Sequence, residues 1–182
     1  MTTTTPDTTA LTGERADLLD TLRTHRHFLR FTVQGLTDEQ ARRRTTASTL
    51  TLGGLIKHVA ATEAQWVDFI ERGPMAMAAV EGEFDPNSEL GQQWAAAFTL
   101  GEDETLEDVL AEYARVAART DQLVASLPDL DASQPLPPAP WFEKGAVRSA
   151  RRVFLHIVAE TAQHAGHADI IRESLDGAKT MG

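Results

Sequence analysis

The stretch HIVAETAQHAGHADIIRE, residues 156–173, decides the fold because it combines helical apolar periodicity with an unusual set of polar residues. Four apolar residues in and around it fall within about 40° of one another on a wheel that advances about 100° per residue: Val153, Ile157, Ile171 and Leu175. Such a stripe predicts a long amphipathic helix, over about 147–175, with one face packed in a core.

Two polar residues of this helix point towards the same apolar stripe. His164 lies at its centre, about 40° from Glu160 on the wheel. Burying an unpaired polar group costs about 2–7 kcal/mol, and a metal ion that coordinates both side chains would offset that cost. One helical turn, about 6 Å, separates the two residues, so their side chains can converge on one ion.

A third ligand is expected from another helix, and His58 in LGGLIKHVAATEAQWV is the strongest candidate. Thr62 and Gln65 lie on the same side of that helix as His58 and are expected close to the ion or to a substrate. Three protein ligands leave a position open for water or substrate, which is typical of catalytic metal sites. Histidine and glutamate ligands suit Zn²⁺, Ni²⁺ or Fe²⁺, and the residues alone do not select among these ions.

Two further histidines leave the assignment open. His156 and His167 lie within about 40° of Glu160 on the same face, so either could replace a ligand or could hydrogen-bond a ligand or a substrate. The residues are also compatible with histidines that are simply hydrogen-bonded at the edge of a core. Arg152 could hold a substrate carboxylate, and Trp141, after a proline-rich run, could form a wall of the pocket.

The remaining apolar periodicity predicts an all-α protein built as a four-helix bundle. The three other long helices are expected over about 11–35, 51–71 and 105–127. Long connections, 73–104 and 128–145, precede the third and fourth long helices. Residues 1–10 are rich in threonine and are predicted to be a disordered tail, and 11–182 to be a single domain.

The charge distribution bears on partners. The chain has 182 residues, no cysteine and a net charge of −10. Ten acidic residues and no Lys or Arg lie between Gly73 and Ala114, whereas the rest of the chain is balanced at 17 acids and 17 bases. The net negative charge argues against nucleic acid and against anionic membrane surfaces as partners, because both are negatively charged.

The sequence also bears on cellular location and on assembly. No apolar run approaches the about 18 residues of a membrane span, and the amino terminus lacks the pattern of a signal peptide. A cytoplasmic protein is therefore expected. Leu155 and Val158 lie away from the core stripe of their helix, and an apolar surface there could support a homodimer.

Two segments resemble a known superfamily: LTDEQARRRTTASTLTLGGLIKHVAATEAQWV, residues 36–67, and RRVFLHIVAETAQHAGHADIIRESLDG, residues 151–177. They are similar to the DinB-like (DinB/YfiT) metalloproteins, four-helix bundles that take one metal ligand from the second helix and two from the fourth. The resemblance places these ligands on His58, Glu160 and His164. The nearest branch is related to mycothiol-dependent maleylpyruvate isomerase and to thiol S-transferases.

The resemblance implies a divalent-metal-dependent enzyme, an S-transferase or isomerase that uses a low-molecular-weight thiol such as mycothiol. Its partners would be a small-molecule thiol and an electrophile. The chain itself supplies no sulfur nucleophile, because it contains no cysteine. A metal-dependent hydrolase would need the same ligands, and a non-catalytic protein that binds a metal or a small molecule is the alternative from another class.

Overall fold

Four long helices form the body of the protein in a computed structural model that describes residues 11–80 and 82–180. They belong to a set of six helices: α1 (Glu14–Phe31), α2 (Asp38–Arg42), α3 (Leu52–Arg72), α4 (Glu89–Ala97), α5 (Leu106–Ser126) and α6 (Ala150–Asp176). Helix α6 packs on α1 and α3, and α3 also packs along α5. The predicted all-α class is confirmed, while the predicted tail, 1–10, lies outside the described residues.

Side-chain caps set the starts of three long helices. Thr51, Thr105 and Ser149 each accept a hydrogen bond from a backbone N–H in the first turn of α3, α5 and α6, which satisfies donors that have no partner within the helix. Helix α6 ends at Gly177, whose φ of 81° is the left-handed conformation that favours glycine.

Two helices are shorter than the sequence predicts. Helix α1 ends at Phe31 rather than near Gly35, because Thr32 and Val33 donate to carbonyls three residues earlier and form turns. Helix α6 begins at Ala150 rather than near Val147. The segment just before it is a short strand, β2 (Val147–Ser149), paired antiparallel with β1 (Ser133–Pro135).

Both long connections contain structure that the periodicity did not predict. The first carries a 3-10 turn, Gly73–Ala76, and α4, and the second carries β1. Lys57 Nζ lies 2.7 Å from Glu104 Oε2 and fastens the end of the first connection to α3. Among the helices of the described residues, none is long and apolar enough to cross a membrane.

A buried ion pair joins three of the long helices. The Nε of Arg26 on α1 donates to Glu63 Oε2 on α3 at 3.2 Å, and its Nη1 donates to Asp121 Oδ1 on α5 at 2.7 Å. Glu63 is only 1% exposed and also accepts a hydrogen bond from the hydroxyl of Thr120. Breaking a buried pair by removing one partner is strongly destabilising, because the other charge stays buried.

The Glu63→Gln variant should therefore lose about 3 kcal/mol of unfolding free energy in urea titrations, because the Arg26 guanidinium would remain buried with less compensation. Glu112→Gln, which removes the carboxylate of the exposed pair with Arg115, is the matched control and should cost less than about 0.5 kcal/mol. Equal losses in the two variants would contradict a stabilising role for the buried pair.

Candidate metal centre

The packing of α3 on α6 brings the three predicted ligands together. His58, Glu160 and His164 each offer one ligand atom, and these atoms all lie within 4.8 Å of one another. Glu160 Oε2 is 3.5 Å from His164 Nε2, as expected one turn apart on α6. The imidazoles of His58 and His164 meet edge to face, with ring centroids 4.9 Å apart.

The distances fit a divalent ion. Ligand atoms at about 2.1 Å from a tetrahedral zinc lie about 3.4 Å from one another. The 3.5 Å between Glu160 and His164 already matches this spacing. With all three atoms within 4.8 Å, small side-chain rotations would bring the His58 nitrogen to the same distance. Two imidazoles and a carboxylate are also a donor set that Zn²⁺, Ni²⁺ and Fe²⁺ accept.

The electrostatics of the cluster favour the protonation states that a metal requires. Burial, with His164 nearby, lowers the pKa of His58 to about 4. The hydrogen bond with His164, with His156 also nearby, lowers the pKa of Glu160. At neutral pH, His58 is therefore a neutral imidazole and Glu160 a carboxylate, which are the forms that coordinate metals.

The other two histidines of α6 flank the cluster. His167 Nδ1 lies 3.4 Å from His164 Nδ1, and His156 Nε2 lies 3.7 Å from Glu160 Oε1. Each thus contacts one predicted ligand from the side. In this arrangement they can orient His164 and Glu160.

The remaining predicted site residues lie at different distances from the cluster. Thr62 Oγ1 is 3.5 Å from His58 Nε2, within contact of the cluster. Gln65 is exposed, and within the described part of the chain its side chain makes no hydrogen bond. Trp141 is 46% exposed and contacts Trp94, with ring centroids 5.1 Å apart, rather than a ligand. Arg152 is exposed and lies one helical turn before His156 on α6.

Phe98 also belongs to the site, although no sequence pattern predicted it. Its ring stacks on the His58 imidazole, with centroids 3.7 Å apart and planes 18° apart. Phe98 follows α4 in the first long connection, residues 73–104, which contains acidic residues but no Lys or Arg and is called the acidic connection below. This segment therefore reaches the site through an aromatic residue. The available signal was the pair Gly53 and Gly54, because a Cβ on Gly54 would lie only 1.9 Å from the Phe98 carbonyl oxygen.

The fold and the site together define a class, the DinB-like helical bundles, here with a His/Glu/His cluster between α3 and α6. Within this class, the chain belongs to the mycothiol-S-transferase family, whose model matches residues 17–177. This confirms the superfamily resemblance read from the two sequence segments.

A solved structure is similar in fold. The chain resembles a conserved protein from Enterococcus faecalis, known from a crystal structure, with a TM-score of 0.66 and 12% sequence identity. The similarity covers 92% of this chain and 100% of the other. At this identity it supports the fold alone. No curated protein matches the chain.

A methyl group on Gly54 should displace the backbone that carries Phe98. We expect Gly54→Ala to lower the free energy of unfolding by about 1–3 kcal/mol in urea titrations, because the clash is with backbone atoms that cannot rotate away. Gly166→Ala is the control, since a Cβ there meets nothing within 4 Å. That change should stabilise α6 by about 0.5–1 kcal/mol. Similar effects of the two substitutions would contradict the close approach at Gly54.

The low pKa of His58 should make the metal-free protein sensitive to acid. The unfolded chain takes up a proton near the ordinary value of 6.5, whereas the folded chain does so only at about 4. The unfolded state binds more protons in this window, so stability falls as the pH drops from 6.5 towards 4. With a chelator present, the free energy of unfolding should decrease less between pH 8 and pH 5 in His58→Phe than in the parent. An unchanged loss would rule out this contribution.

Proposed function

We propose that this protein is a divalent-metal-dependent thiol S-transferase that joins a small-molecule thiol, such as mycothiol, to an electrophile. The observation that carries the proposal is the convergence of His58, Glu160 and His164, whose ligand atoms lie within 4.8 Å of one another. Membership of the mycothiol-S-transferase family supports the choice of a thiol as cosubstrate. The chain has no cysteine, so the reacting sulfur must come from the cosubstrate.

The three side chains would hold the ion, with Zn²⁺ as the first choice and Ni²⁺ or Fe²⁺ as alternatives. A divalent ion held there would supply Lewis acidity that favours the thiolate form of a thiol at neutral pH. In the transfer, the thiol loses its proton, sulfur bonds to the electrophilic carbon and the leaving group departs with its electron pair.

The neighbouring residues would keep the ligands in place. His167 contacts the Nδ1 of His164, which leaves the Nε2 of His164 directed at Glu160. His156 contacts the other oxygen of Glu160. Phe98 covers one face of the His58 ring and limits its rotation, so the donor side chains are held in place before the ion and the substrates arrive.

Two sequence-based predictions remain proposals. A homodimer through α6 is supported by Leu155, which is 49% exposed, whereas Val158 packs against the core and contributes less free surface. A cytoplasmic location, without nucleic acid or membrane partners, fits the acidic composition and a small-molecule thiol as substrate.

The metal content of the purified protein tests the site. We expect about one equivalent of zinc per chain in the parent, and less than about 0.2 in His58→Ala, Glu160→Ala and His164→Ala, because three protein ligands are needed for a tight catalytic site. His27→Ala, which removes an exposed histidine of α1, should retain the metal. Full metal content in the three ligand variants would contradict the assignment.

Activity separates the possible functions of a site that holds metal. Conjugation of mycothiol to a chlorodinitroarene should be lost in His58→Ala and retained in His27→Ala. Metal binding with no turnover of any thiol would favour a binding protein, and ester cleavage without thiol would favour a hydrolase. Undiminished thiol transfer after complete chelation would overturn the proposal.

A further inference from the structure

An unsatisfied guanidinium lies near the metal centre. Arg148, in β2, stacks on Trp66 and Phe142, with its Cζ atom 5.6 and 5.8 Å from the two ring centroids. Its Nε is buried and has no hydrogen-bond partner among the residues that the structure describes. The Arg148 side chain as a whole is only half-buried, and its terminal N–H groups form no ion pair within the described part of the chain, so they are available to an anion.

No carboxylate of the described residues forms an ion pair with Arg148 or Arg152. The intervening Arg151, by contrast, pairs with Glu14 and Asp131 on the outer side of the bundle. Burial and the nearby Arg152 guanidinium both lower the pKa of Arg148. The two side chains therefore form a patch of positive charge in a protein whose net charge is −10.

The patch lies in line with the metal centre. Arg148, Arg152, His156 and Glu160 follow one another at intervals of four residues. The last three lie on α6, each about 6 Å further along the axis. Arg148 and His156 contact the same indole: the Cζ atom of Arg148 lies 5.6 Å from the Trp66 ring centroid, and the His156 ring centroid lies 4.8 Å from it. His156 in turn contacts Glu160 at 3.7 Å. About 12 Å of helix thus separates Arg152 from Glu160, a span that a small substrate can bridge.

We propose that Arg148 and Arg152 bind a carboxylate or phosphate group of a substrate whose reactive end lies at His58, Glu160 and His164. Guanidinium groups bind such anions through paired, charge-assisted hydrogen bonds. The proposal rests on the proposed thiol transfer for the identity of the ligand as a substrate, although binding of an anion can be tested without turnover. The anion belongs either to the electrophile or to a thiol that, unlike mycothiol, carries a free carboxylate.

Matched substrates distinguish these two sources. The electrophiles are 4-chloro-3,5-dinitrobenzoate and its methyl ester, which differ in the charged group. In both, the thiol sulfur bonds to the ring carbon, chloride leaves and the thiol proton passes to the solvent. The thiols are N-acetylcysteine and N-acetylcysteine amide, which again differ in one carboxylate.

The variants are Arg148→Met and Arg152→Met. Arg44→Met is the control, because it removes an equal charge from an exposed arginine near the opposite end of α6, where the neighbouring Thr45 hydrogen-bonds Ile171. We expect each test variant to raise KM roughly ten- to hundredfold for one charged partner, as loss of charge-assisted hydrogen bonds implies. The uncharged counterpart should change less than about twofold. Arg148→Lys, which keeps the charge and loses Nε, should show an intermediate effect for the same partner.

A raised KM for the benzoate but not the ester assigns the anion to the electrophile. A raised KM for N-acetylcysteine but not its amide assigns it to the thiol. Either result supports the proposal. Unchanged KM values for both charged compounds, or equal changes for charged and uncharged compounds, would overturn it.

Calorimetric titration of the zinc-loaded protein keeps this test independent of turnover. We expect 4-chloro-3,5-dinitrobenzoate or N-acetylcysteine to bind the parent and Arg44→Met, and to bind Arg148→Met and Arg152→Met at least about tenfold more weakly. If neither conjugation is catalysed but this difference appears, thiol transfer fails while the anion site stands. Absence of the difference for both compounds would overturn the site, whatever the activity.

Discussion

The contact between α3 and α6 is the constraint on which the candidate site depends. It places His58 against His164, with ring centroids 4.9 Å apart, and thereby completes a donor set that α6 alone cannot provide. Two ligands on one helix can be one turn apart, but a third must approach from another direction to surround an ion. The geometry of the three ligands therefore depends on the packing between these two helices.

Contacts with other parts of the protein stabilise the packing of α3 on α6. The buried Arg26–Glu63 interaction joins α1 to α3, and the carboxylate of Asp121 extends it to α5. On the other side of α3, the glycine at position 54 admits the backbone of the acidic connection, which delivers Phe98 to the His58 ring. The connection therefore contributes Phe98 to the site, while one of its carboxylates, that of Glu104, is paired with Lys57.

The two ends of the polar face of α6 that carries the predicted ligands differ in chemistry. His156, Glu160, His164 and His167 form a continuous row of contacts around the predicted metal position. Towards the start of the helix, the row continues into Arg148 and Arg152, which find no acidic partner among the described residues. A substrate bound along this face would have its reactive atom near the predicted metal position and its negative charge near Arg148 and Arg152.

The sequence by itself determined the long helices, the all-α class and the one-turn spacing of Glu160 and His164, because helical periodicity is a local property of the chain. His58 was predicted as the third ligand from its place on another helix and from the family resemblance, and its approach to His164 depends on the packing of α3 on α6. Confirmation of the family resemblance adds the expectation of a thiol cosubstrate. Only the tertiary structure decided that Phe98 stacks on His58 and that Arg148 lies between Trp66 and Phe142. The contacts of Phe98 with His58 and of Arg148 with Trp66 join segments that are far apart in the sequence. They depend on how irregular connections fold back onto the helices, which no periodic pattern encodes.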